Sequence, residues 1–332
     1  MVSGGARVVM YRGIRMFRDL PLTVFTGNTH PKLAADVCRY LELPLGSADV
    51  FEFSNENIFV KINENVRQHD VFLIQPTSSP VNKGLMELLI MIDAVKRASA
   101  ERITAVVPYY GYSRTDKKDQ PRVPITARLV ADMLTTAGAN RLLTMDLHAG
   151  QIQGFFNVPV DELTAHFTLT RYFRNLDLDN PVVVAADIGG AKKARNFAEK
   201  LDAPFAVIEK RRIMNDGKSE ALNVIGDVEG KTGIIVDDEI DTAGTLLEAV
   251  QALHAHGAGD VYACATHGVF SGPAIDRLCK SGLRQIVVTD TVPLPQPKAI
   301  PQIVTLSIAP LLGEAIRRIH VGESVGAMFD AE

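Results

Sequence analysis

Two adjacent carboxylates after an apolar run are the side chains of this sequence best placed to do chemistry. Gly233–Val236 has strand character and ends at Asp237 and Asp238. The small-residue turn Asp241–Thr245 follows, and then leucines and valines recur at helical spacing until Gly257. This order aims backbone N–H groups and the positive helix end at one point, which suits a phosphate. Since carboxylates accept hydrogen bonds from sugar hydroxyls, we expect a phosphorylated ribose here; the alternative is an ordinary strand–helix turn with solvated acids.

Two other strand ends carry polar residues that could share this site. His148 follows the strand Leu142–Met145, at the edge where open α/β sheets place their ligands. It is a candidate metal ligand or general base, although a lone histidine there is more often a structural hydrogen bonder. Asp187 follows the strand Val182–Ala186, and the glycines after it allow a close backbone approach. We therefore expect Asp187 to form a second corner of the same cleft.

Cations and aromatic residues stand at further loops. Lys210, Arg211 and Arg212 follow the strand Phe205–Ile208 and open a polar stretch that runs to Ser219. Three adjacent cations are usually just solvated, but on a mobile loop they would bring charge to a transferring phosphoryl group. Arg114, in a segment rich in tyrosines and turn residues, is a candidate for binding a polyphosphate.

The loop from Phe53 to Asn57 offers an aromatic ring with amide and acid groups. Such a loop could hold an adenine by stacking and by hydrogen bonds to its edge. Taken alone, the segment is more simply interpreted as an ordinary loop.

Short apolar strands alternate with amphipathic helices along the chain, which predicts an α/β protein with mostly parallel sheets. The expected helices include Leu85–Ala98, Ile125–Ala137 and Ala191–Leu201. A short repeat relates the two halves, because a Gly-Ala pair at 138 and again at 257 leads into a strand, and His148 and His267 each come ten positions after the glycine. With 332 residues, two homologous domains are expected: residues 1–20 as an extension, then 21–165 and 166–332.

Composition excludes several classes of function. A net charge of −4 gives no basic surface for nucleic acid. No apolar run reaches the roughly 18 residues that a membrane span needs. The three cysteines are scattered and lack metal-ligand spacing, which favours a reducing cytoplasm.

Four motifs together resemble the ribose-phosphate pyrophosphokinases of the phosphate-activated class. They are Pro-Tyr-Tyr-Gly-Tyr-Ser-Arg (108–114), Asp-Leu-His-Ala-Gly-Gln-Ile-Gln-Gly-Phe-Phe (146–156), Lys-Arg-Arg (210–212) and Val-Asp-Asp-Glu-Ile-Asp-Thr-Ala-Gly-Thr (236–245). The resemblance runs from about residue 25 to 329 and implies two phosphoribosyltransferase-like domains. It also implies transfer of the β,γ-diphosphoryl group of Mg-ATP to O1 of ribose 5-phosphate, with AMP as the second product.

The resemblance assigns roles position by position. Lys210 is the catalytic cation and Arg212 its partner, which also contacts ribose 5-phosphate. The ribose 5-phosphate site comprises Asp237, Asp238, Asp241, Thr242, Ala243, Gly244 and Thr245; the ATP site comprises Phe53, Asn55, Glu56, Asn57, Arg114, Thr115 and Asp116. His148 and Asp187 are linked to Mg²⁺, although Mg²⁺ prefers oxygen ligands and leaves His148 an acid–base or indirect role as the rival. A homohexamer, with phosphate and ADP as possible allosteric effectors, is implied as well.

The chain departs from the family pattern near the nucleotide and the effector. Asn57 stands where the family usually has Glu, and Thr115 where it has Gln. Asn65 replaces the serine of the regulatory Ser-Val-Arg. Two alternatives stay open: a catalytically silent regulatory relative, which would be expected to have lost the cations or acids, and a phosphoribosyltransferase, which the double-length chain disfavours.

Overall fold

The computed structural model describes residues 20–212 and 220–329, with the side chains of 210–212 and of 220–221 left out. The lysine and arginine predicted to act in catalysis therefore have described backbones only. The N-terminal extension and the segment 213–219 lie outside the described residues. Among the helices described, none is long and apolar enough to cross a membrane.

The first half is built on one parallel sheet and a separate hairpin. Its elements are β1 (Leu22–Thr26), α1 (Pro31–Tyr40), β2 (Ala48–Glu52), β3 (Ile58–Ile62), β4 (Asp70–Ile74), α2 (Val81–Arg97), β5 (Arg102–Val107), α3 (Thr126–Ala137), β6 (Arg141–Met145) and β7 (Val160–Leu163). The sheet order is β1-β4-β5-β6-β7, and among the described strands β2 pairs with β3 alone, antiparallel. Every residue of β4 is buried, as expected of a strand covered on both faces.

The second half contains a larger sheet of the same kind. Its elements are α4 (His166–Arg174), β8 (Pro181–Ala185), α5 (Ala191–Leu201), β9 (Phe205–Arg212), β10 (Glu220–Ile225), β11 (Thr232–Ile240), α6 (Gly244–Ala255), β12 (Val261–Gly268), α7 (Ala274–Cys279), β13 (Ile286–Thr289), β14 (Ile303–Leu306) and α8 (Ala309–Val321). The order is β10-β9-β8-β11-β12-β13-β14, all parallel except the antiparallel β9–β10 pair. The predicted α/β class with two parallel sheets flanked by helices is confirmed.

The sequence repeat corresponds to two equivalent helix-to-strand connections. The helices α3 and α6 are followed by Gly138 and Gly257, with φ of 128° and 80°, a left-handed backbone that favours glycine. The connections lead into β6 and β12, which are interior strands of their sheets. The carboxyl ends of both strands, and with them His148 and His267, lie at the contact between the two halves.

Two strands run further than the sequence predicts. The strand expected to end at Val236 continues as β11 to Ile240, because parallel pairing with β12 continues through Asp237↔Ala265 and Ile240↔Gly268. The ladder satisfies backbone groups that a loop would have left to water. Likewise β9 continues past Ile208 to Arg212, because β10 pairs with it along its length. The basic residues 210–212 are therefore strand residues, not the start of a loop.

Candidate functional site

The connection from β11 to α6 forms a ready-made anion site. Ala243 has a left-handed backbone, with φ of 58°, and this turns the chain into α6 at Gly244. No side chain of the described residues caps this helix. The first N–H groups of a helix have no partner within it, so those of α6 are free to meet a ligand, and the helix dipole favours an anion there.

A cavity of about 520 Å³ opens over this turn, between the two halves of the chain. The second half supplies the acids, the turn and the glycine loop, and the first half supplies Arg114 and His148. Its polar lining consists of Arg114, His148, Asp187, Gly189, Gly190, Lys193, Asp237, Asp238, Glu239, Asp241, Thr242, Ala243, Gly244 and Thr245. The structure thus brings together ten predicted site residues, from Arg114 to Thr245, that come from separate segments of the sequence.

Asp238 lies beside a basic side chain from each half of the chain. Its Oδ2 lies 2.9 Å from Nδ1 of His148 and 4.0 Å from Nζ of Lys193, in the first turn of α5. Burial by itself raises the pKa of Asp238, but the hydrogen bonds from His148 and Asp237 and the charge of Lys193 outweigh it, so the net pKa is lowered. The hydrogen bond to Asp238 in turn raises the pKa of His148. Asp238 therefore stays ionised and acts as a hydrogen-bond acceptor.

Asp237 stands beside Asp238 but differs from it in its tendency to be protonated. Its burial, together with the neighbouring Asp238, raises the pKa of Asp237 well above the ordinary range for a carboxylic acid. Its Oδ1 accepts a hydrogen bond of 2.8 Å from the backbone N–H of Asp238. The pair thus combines one charged acceptor with one group that holds a proton easily, which suits a ligand with several hydroxyl groups.

Arg114 reaches from the first half onto the acids of the turn. Its Nη1 donates to Oδ2 of Asp241 at 2.9 Å, and its Nε pairs with Glu239. Glu239 also accepts from the hydroxyl of Tyr109 at 3.3 Å, and Asp241 accepts from the hydroxyl of Ser271. The carboxylate of Asp241 is therefore fixed in position at the mouth of the phosphate turn.

Asp187 forms the opposite wall of the cavity. Its Oδ1 accepts from the backbone N–H of Gly190 at 2.8 Å, which tightens the loop between β8 and α5. Among the described residues, no group of three or more histidine, cysteine or acidic side chains is arranged to hold a metal. A site that uses one or two side chains and completes its coordination with substrate oxygens is typical of Mg²⁺.

The structure does not bring the predicted adenine-binding residues to this cavity. Phe53, Asn55, Glu56 and Asn57 form the turn of the β2–β3 hairpin, and none of them belongs to the described lining. The ring of Phe53 is 48% exposed and lies 5.1 Å, centroid to centroid, from that of Phe51. Phe51, Phe53 and Phe59 are exposed and in mutual contact, and a contiguous exposed aromatic patch is typical of a surface that binds a ligand or a partner.

The two residues after Arg114 also point elsewhere. Thr115 donates its hydroxyl to the carbonyl of Tyr112 at 2.7 Å, within a local turn. Asp116 is buried and accepts from the amide of Gln151 at 2.8 Å. Both stabilise the segment that carries Arg114 rather than line the cavity.

Sequence reasoning missed several residues of the site. Lys193, Glu239 and Ser271 contact predicted site residues and Tyr109 contacts Glu239, but none of the four was assigned a role. For Lys193 a signal exists, since it follows the glycine loop in the first turn of a helix. Tyr109 carries no such signal, because its contact with Glu239 joins segments 130 residues apart. Ser271 carries none either, because its contact with Asp241 joins two separate loops.

Two parallel α/β sheets meeting at a cleft, with a phosphate turn after a central strand, define a chain of the phosphoribosyltransferase-like fold. Residues 22–138 match the family model for the N-terminal domain of ribose phosphate pyrophosphokinase, and residues 212–330 match that of the phosphoribosyl synthetase-associated domain. The chain belongs to the ribose-phosphate pyrophosphokinase family.

Individual relatives agree over nearly the whole length. A ribose-phosphate pyrophosphokinase of Caldanaerobacter subterraneus subsp. tengcongensis is 56% identical, over 93% of this chain and 98% of the relative. Another from Clostridium perfringens is 52% identical, over 93% and 97%. The crystal structure of phosphoribosylpyrophosphate synthetase from Mycobacterium smegmatis superposes with a TM-score of 0.85 at 47% identity, covering 90% of this chain and 98% of that one. The resemblance stated from the motifs is confirmed.

Proposed function

We propose that this protein transfers the diphosphoryl group of Mg-ATP to O1 of ribose 5-phosphate, giving 5-phosphoribosyl 1-pyrophosphate and AMP. The observation that carries the proposal is the paired acids and uncapped helix N-terminus of the β11–α6 connection, facing cations from the other half across one cavity. The 5-phosphate lies on the turn Asp241–Thr245. The ribose hydroxyls donate to Asp237 and Asp238.

The reaction needs positioning and charge stabilisation more than covalent help from the protein. The O1 hydroxyl attacks the β-phosphorus of ATP and loses its proton. The bond from that phosphorus to the oxygen bridging to the α-phosphate breaks, and AMP leaves with the electron pair. Lys210 and Arg212 supply positive charge to the transferring group, a role whose side-chain geometry lies outside the described residues.

ATP is placed on the Arg114 side of the cavity, with Phe53, Asn55, Glu56, Asn57, Thr115 and Asp116 as the wider nucleotide site. Because the described chain keeps the hairpin turn away from its own cavity, this assignment requires the turn of a second copy of the chain. We therefore propose a homo-oligomer, a hexamer as in the family pattern, and an active monomer in light scattering would contradict it.

Asp187 and His148 are the residues that would hold Mg²⁺. When bound, it neutralises phosphate charge. The fit is good for Asp187, an oxygen donor on the cavity wall. His148 fits less directly, since its Nδ1 already contacts Asp238, and this favours a role in orienting Asp238 beside the metal.

The domain boundary, the cellular location and the effectors are also part of this proposal. We place the boundary between the two domains at residues 165 and 166, because α4 packs on α5 and β12 of the second half. We also propose cytoplasmic action, and phosphate and ADP as effectors that bind near Arg67 and Ser307.

The formation of AMP tests the proposal against both alternatives. The protein is incubated with Mg-ATP and ribose 5-phosphate, and the nucleotides are separated by chromatography. AMP in equal amount to 5-phosphoribosyl 1-pyrophosphate is expected. No turnover would support a silent regulatory relative, and release of pyrophosphate only when a nucleobase and phosphoribosyl pyrophosphate are supplied would indicate a phosphoribosyltransferase.

A further inference from the structure

The repeat partner of the cavity histidine has no role in the function proposed so far. His267 lies in β12, and its side chain is buried, with 4% of its surface exposed. Its ring packs edge-on against that of Tyr109 at 5.0 Å between centroids. His148 faces the cavity, whereas His267 lies behind it, at the contact between the two halves. The two histidines occupy equivalent positions in the repeat but differ in their surroundings and contacts.

The hydrogen bonds around His267 define its protonation. Thr289 donates to the carbonyl of Thr266 at 2.7 Å. The hydroxyl of Thr291 lies 3.1 Å from the same carbonyl and, closer, 2.9 Å from Nδ1 of His267, so it is placed to donate to that nitrogen. Nε2 lies 3.2 Å from the backbone carbonyl of Asp146, an atom that only accepts. A neutral ring with its proton on Nε2 satisfies all these groups, so His267 donates to Asp146.

Asp146 is one of the points at which the second half contacts the first. Its backbone has a φ of 38°, a left-handed conformation that costs about 1 kcal/mol or more for a residue with a side chain. Its Oδ2 accepts from the hydroxyl of Thr266 at 2.6 Å and from the N–H of Ala165 at 2.8 Å, and its carbonyl accepts from His267. Two of these three bonds cross between the halves.

This turn decides where His148 stands. Asp146 is two residues before His148, so its backbone direction sets the position from which the imidazole reaches Asp238, 2.9 Å away. We propose that His267 is a positioning residue: by donating to the Asp146 carbonyl it holds the left-handed turn that places His148 against Asp238. The inference rests on the proposed role of His148 in the reaction.

A double-mutant cycle separates positioning from general structural support. The variants are His267→Phe, which keeps a buried ring but removes the donor, His148→Ala, and the two combined. Turnover and KM are measured from AMP formation. We expect His267→Phe to lower kcat about tenfold, with the KM of ribose 5-phosphate within about threefold, since small displacements of a positioned group act mainly on the reacting geometry. In the His148→Ala background the same change should have little further effect, because its target is gone.

Two further variants control for stability. His30→Phe replaces another buried histidine, 6% exposed, which caps the N-terminus of α1 by accepting from the N–H of Leu33. It should lower the melting temperature without changing kcat. Thr291→Val removes only the hydroxyl that orients His267, and it should lower kcat about threefold, again only when His148 is present. If His267→Phe does not fold, this milder variant replaces it in the double-mutant cycle.

The outcomes distinguish the two levels of the argument. If His148→Ala turns over normally, the role proposed for His148 is wrong. If His148→Ala is slow but His267→Phe, or Thr291→Val, lowers kcat by the same factor in both backgrounds, the positioning role is overturned while the proposed site stands. An unchanged kcat in a folded His267→Phe would overturn it as well.

Discussion

Arg114 and Asp241 form an ion pair of 2.9 Å between Nη1 and Oδ2 that joins the first half of the chain to its phosphate turn. The same guanidinium contacts Glu239, whose pKa is raised chiefly by burial even though the charge of Arg114 opposes that rise. One side chain thus connects the proposed nucleotide side of the cavity with the proposed ribose phosphate side. We therefore expect binding of either substrate to rearrange the contacts of Arg114.

Replacing Arg114 should therefore weaken the binding of both substrates. We expect Arg114→Ala to raise the KM of ATP and of ribose 5-phosphate about tenfold, and to lower the free energy of unfolding by about 1–3 kcal/mol because Glu239 stays buried without its cation. Arg114→Lys keeps the charge but lacks the planar fork, so it should recover stability better than affinity. Steady-state kinetics and denaturant unfolding measure both quantities. If Arg114→Lys recovers both KM values in full, the planar guanidinium group has no specific role in binding.

Lys210 is expected to act in the transition state. Lys210→Ala should lower kcat by orders of magnitude and leave the affinity for ribose 5-phosphate within a few-fold, because a cation on the transferring group contributes mainly as charge develops. Lys32→Ala, which removes an exposed cation from α1, serves as the matched control and should change neither quantity. A Lys210→Ala protein that binds ribose 5-phosphate poorly but turns over normally at saturation would refute this role.

Much of the site was readable from the sequence where local pattern sufficed. The apolar run before Asp237, the small residues of the turn and the helical spacing after it predict the phosphate site, because strand, turn and helix each leave a local signature. The helix Ala191–Leu201 was predicted with the bounds that the structure gives it. Pairings between distant segments left no such trace. His148 and Asp238 are 90 residues apart, and only the packing of two domains brings them together.

The extent of β11 and the position of the hairpin turn show the same limit. Acidic residues disfavour a strand locally, so the run was expected to end at Val236; the neighbouring β12 overrides that preference by pairing. Phe53 was assigned to a nucleotide site by the family resemblance, while its neighbours in sequence alone indicated an ordinary loop. The chain folds it away from the cavity, a consequence of the separate β2–β3 pairing that composition does not encode.

Acid should destabilise the protein through Asp70. This fully buried carboxylate accepts from Nε of Arg102 at 2.8 Å and from Nδ1 of His320 at 2.8 Å, joining the first sheet to α8. Burial raises its pKa, but Arg102 and His320 outweigh burial, and the net pKa is lowered. A lowered native pKa contributes stability above the unfolded pKa of about 3.9, and this stability is lost as the pH falls through the native value.

The variant Asp70→Asn tests that sign. At neutral pH it should lose about 3–5 kcal/mol of unfolding free energy, and the difference from the parent should shrink as the pH drops below about 4. Asp93→Asn, which removes an exposed partner of Arg97, should lose less than about 1 kcal/mol at any pH. Urea unfolding at several pH values gives these differences; a gap that stays constant down to acid pH would contradict the assignment.

Activation by inorganic phosphate should be weak. The motif resemblance implies a serine in the regulatory site where this chain has Asn65, and the side-chain oxygen of Asn65 accepts from the backbone N–H of Arg67 at 3.1 Å. Turned this way, the side chain adds a local acceptor beside Arg67 where a hydroxyl would donate to an anion. Loss of one charge-assisted hydrogen bond, worth roughly 1.5–3 kcal/mol, lowers effector affinity about tenfold or more.

Initial rates across a phosphate titration measure that dependence. We expect substantial activity without phosphate and blunted allosteric inhibition by ADP, with competitive inhibition at the ATP site retained. The reverse substitution, Asn65→Ser, should restore phosphate activation. A steep phosphate requirement in the unaltered protein would show that the effector site is intact.

Calorimetric binding of ribose 5-phosphate to Asp237→Asn tests the central assignment, that the sugar phosphate lies on the β11–α6 connection. Asp237 can lose its proton and accept from a ribose hydroxyl as a carboxylate, whereas an amide stays a poorer acceptor, so we expect the Kd of ribose 5-phosphate to rise about tenfold while that of ATP changes little. Asp227→Asn, at an exposed turn acid paired with Lys231, should bind both ligands as the parent does. Equal losses for ribose 5-phosphate and ATP in Asp237→Asn, or no loss for either, would contradict the account.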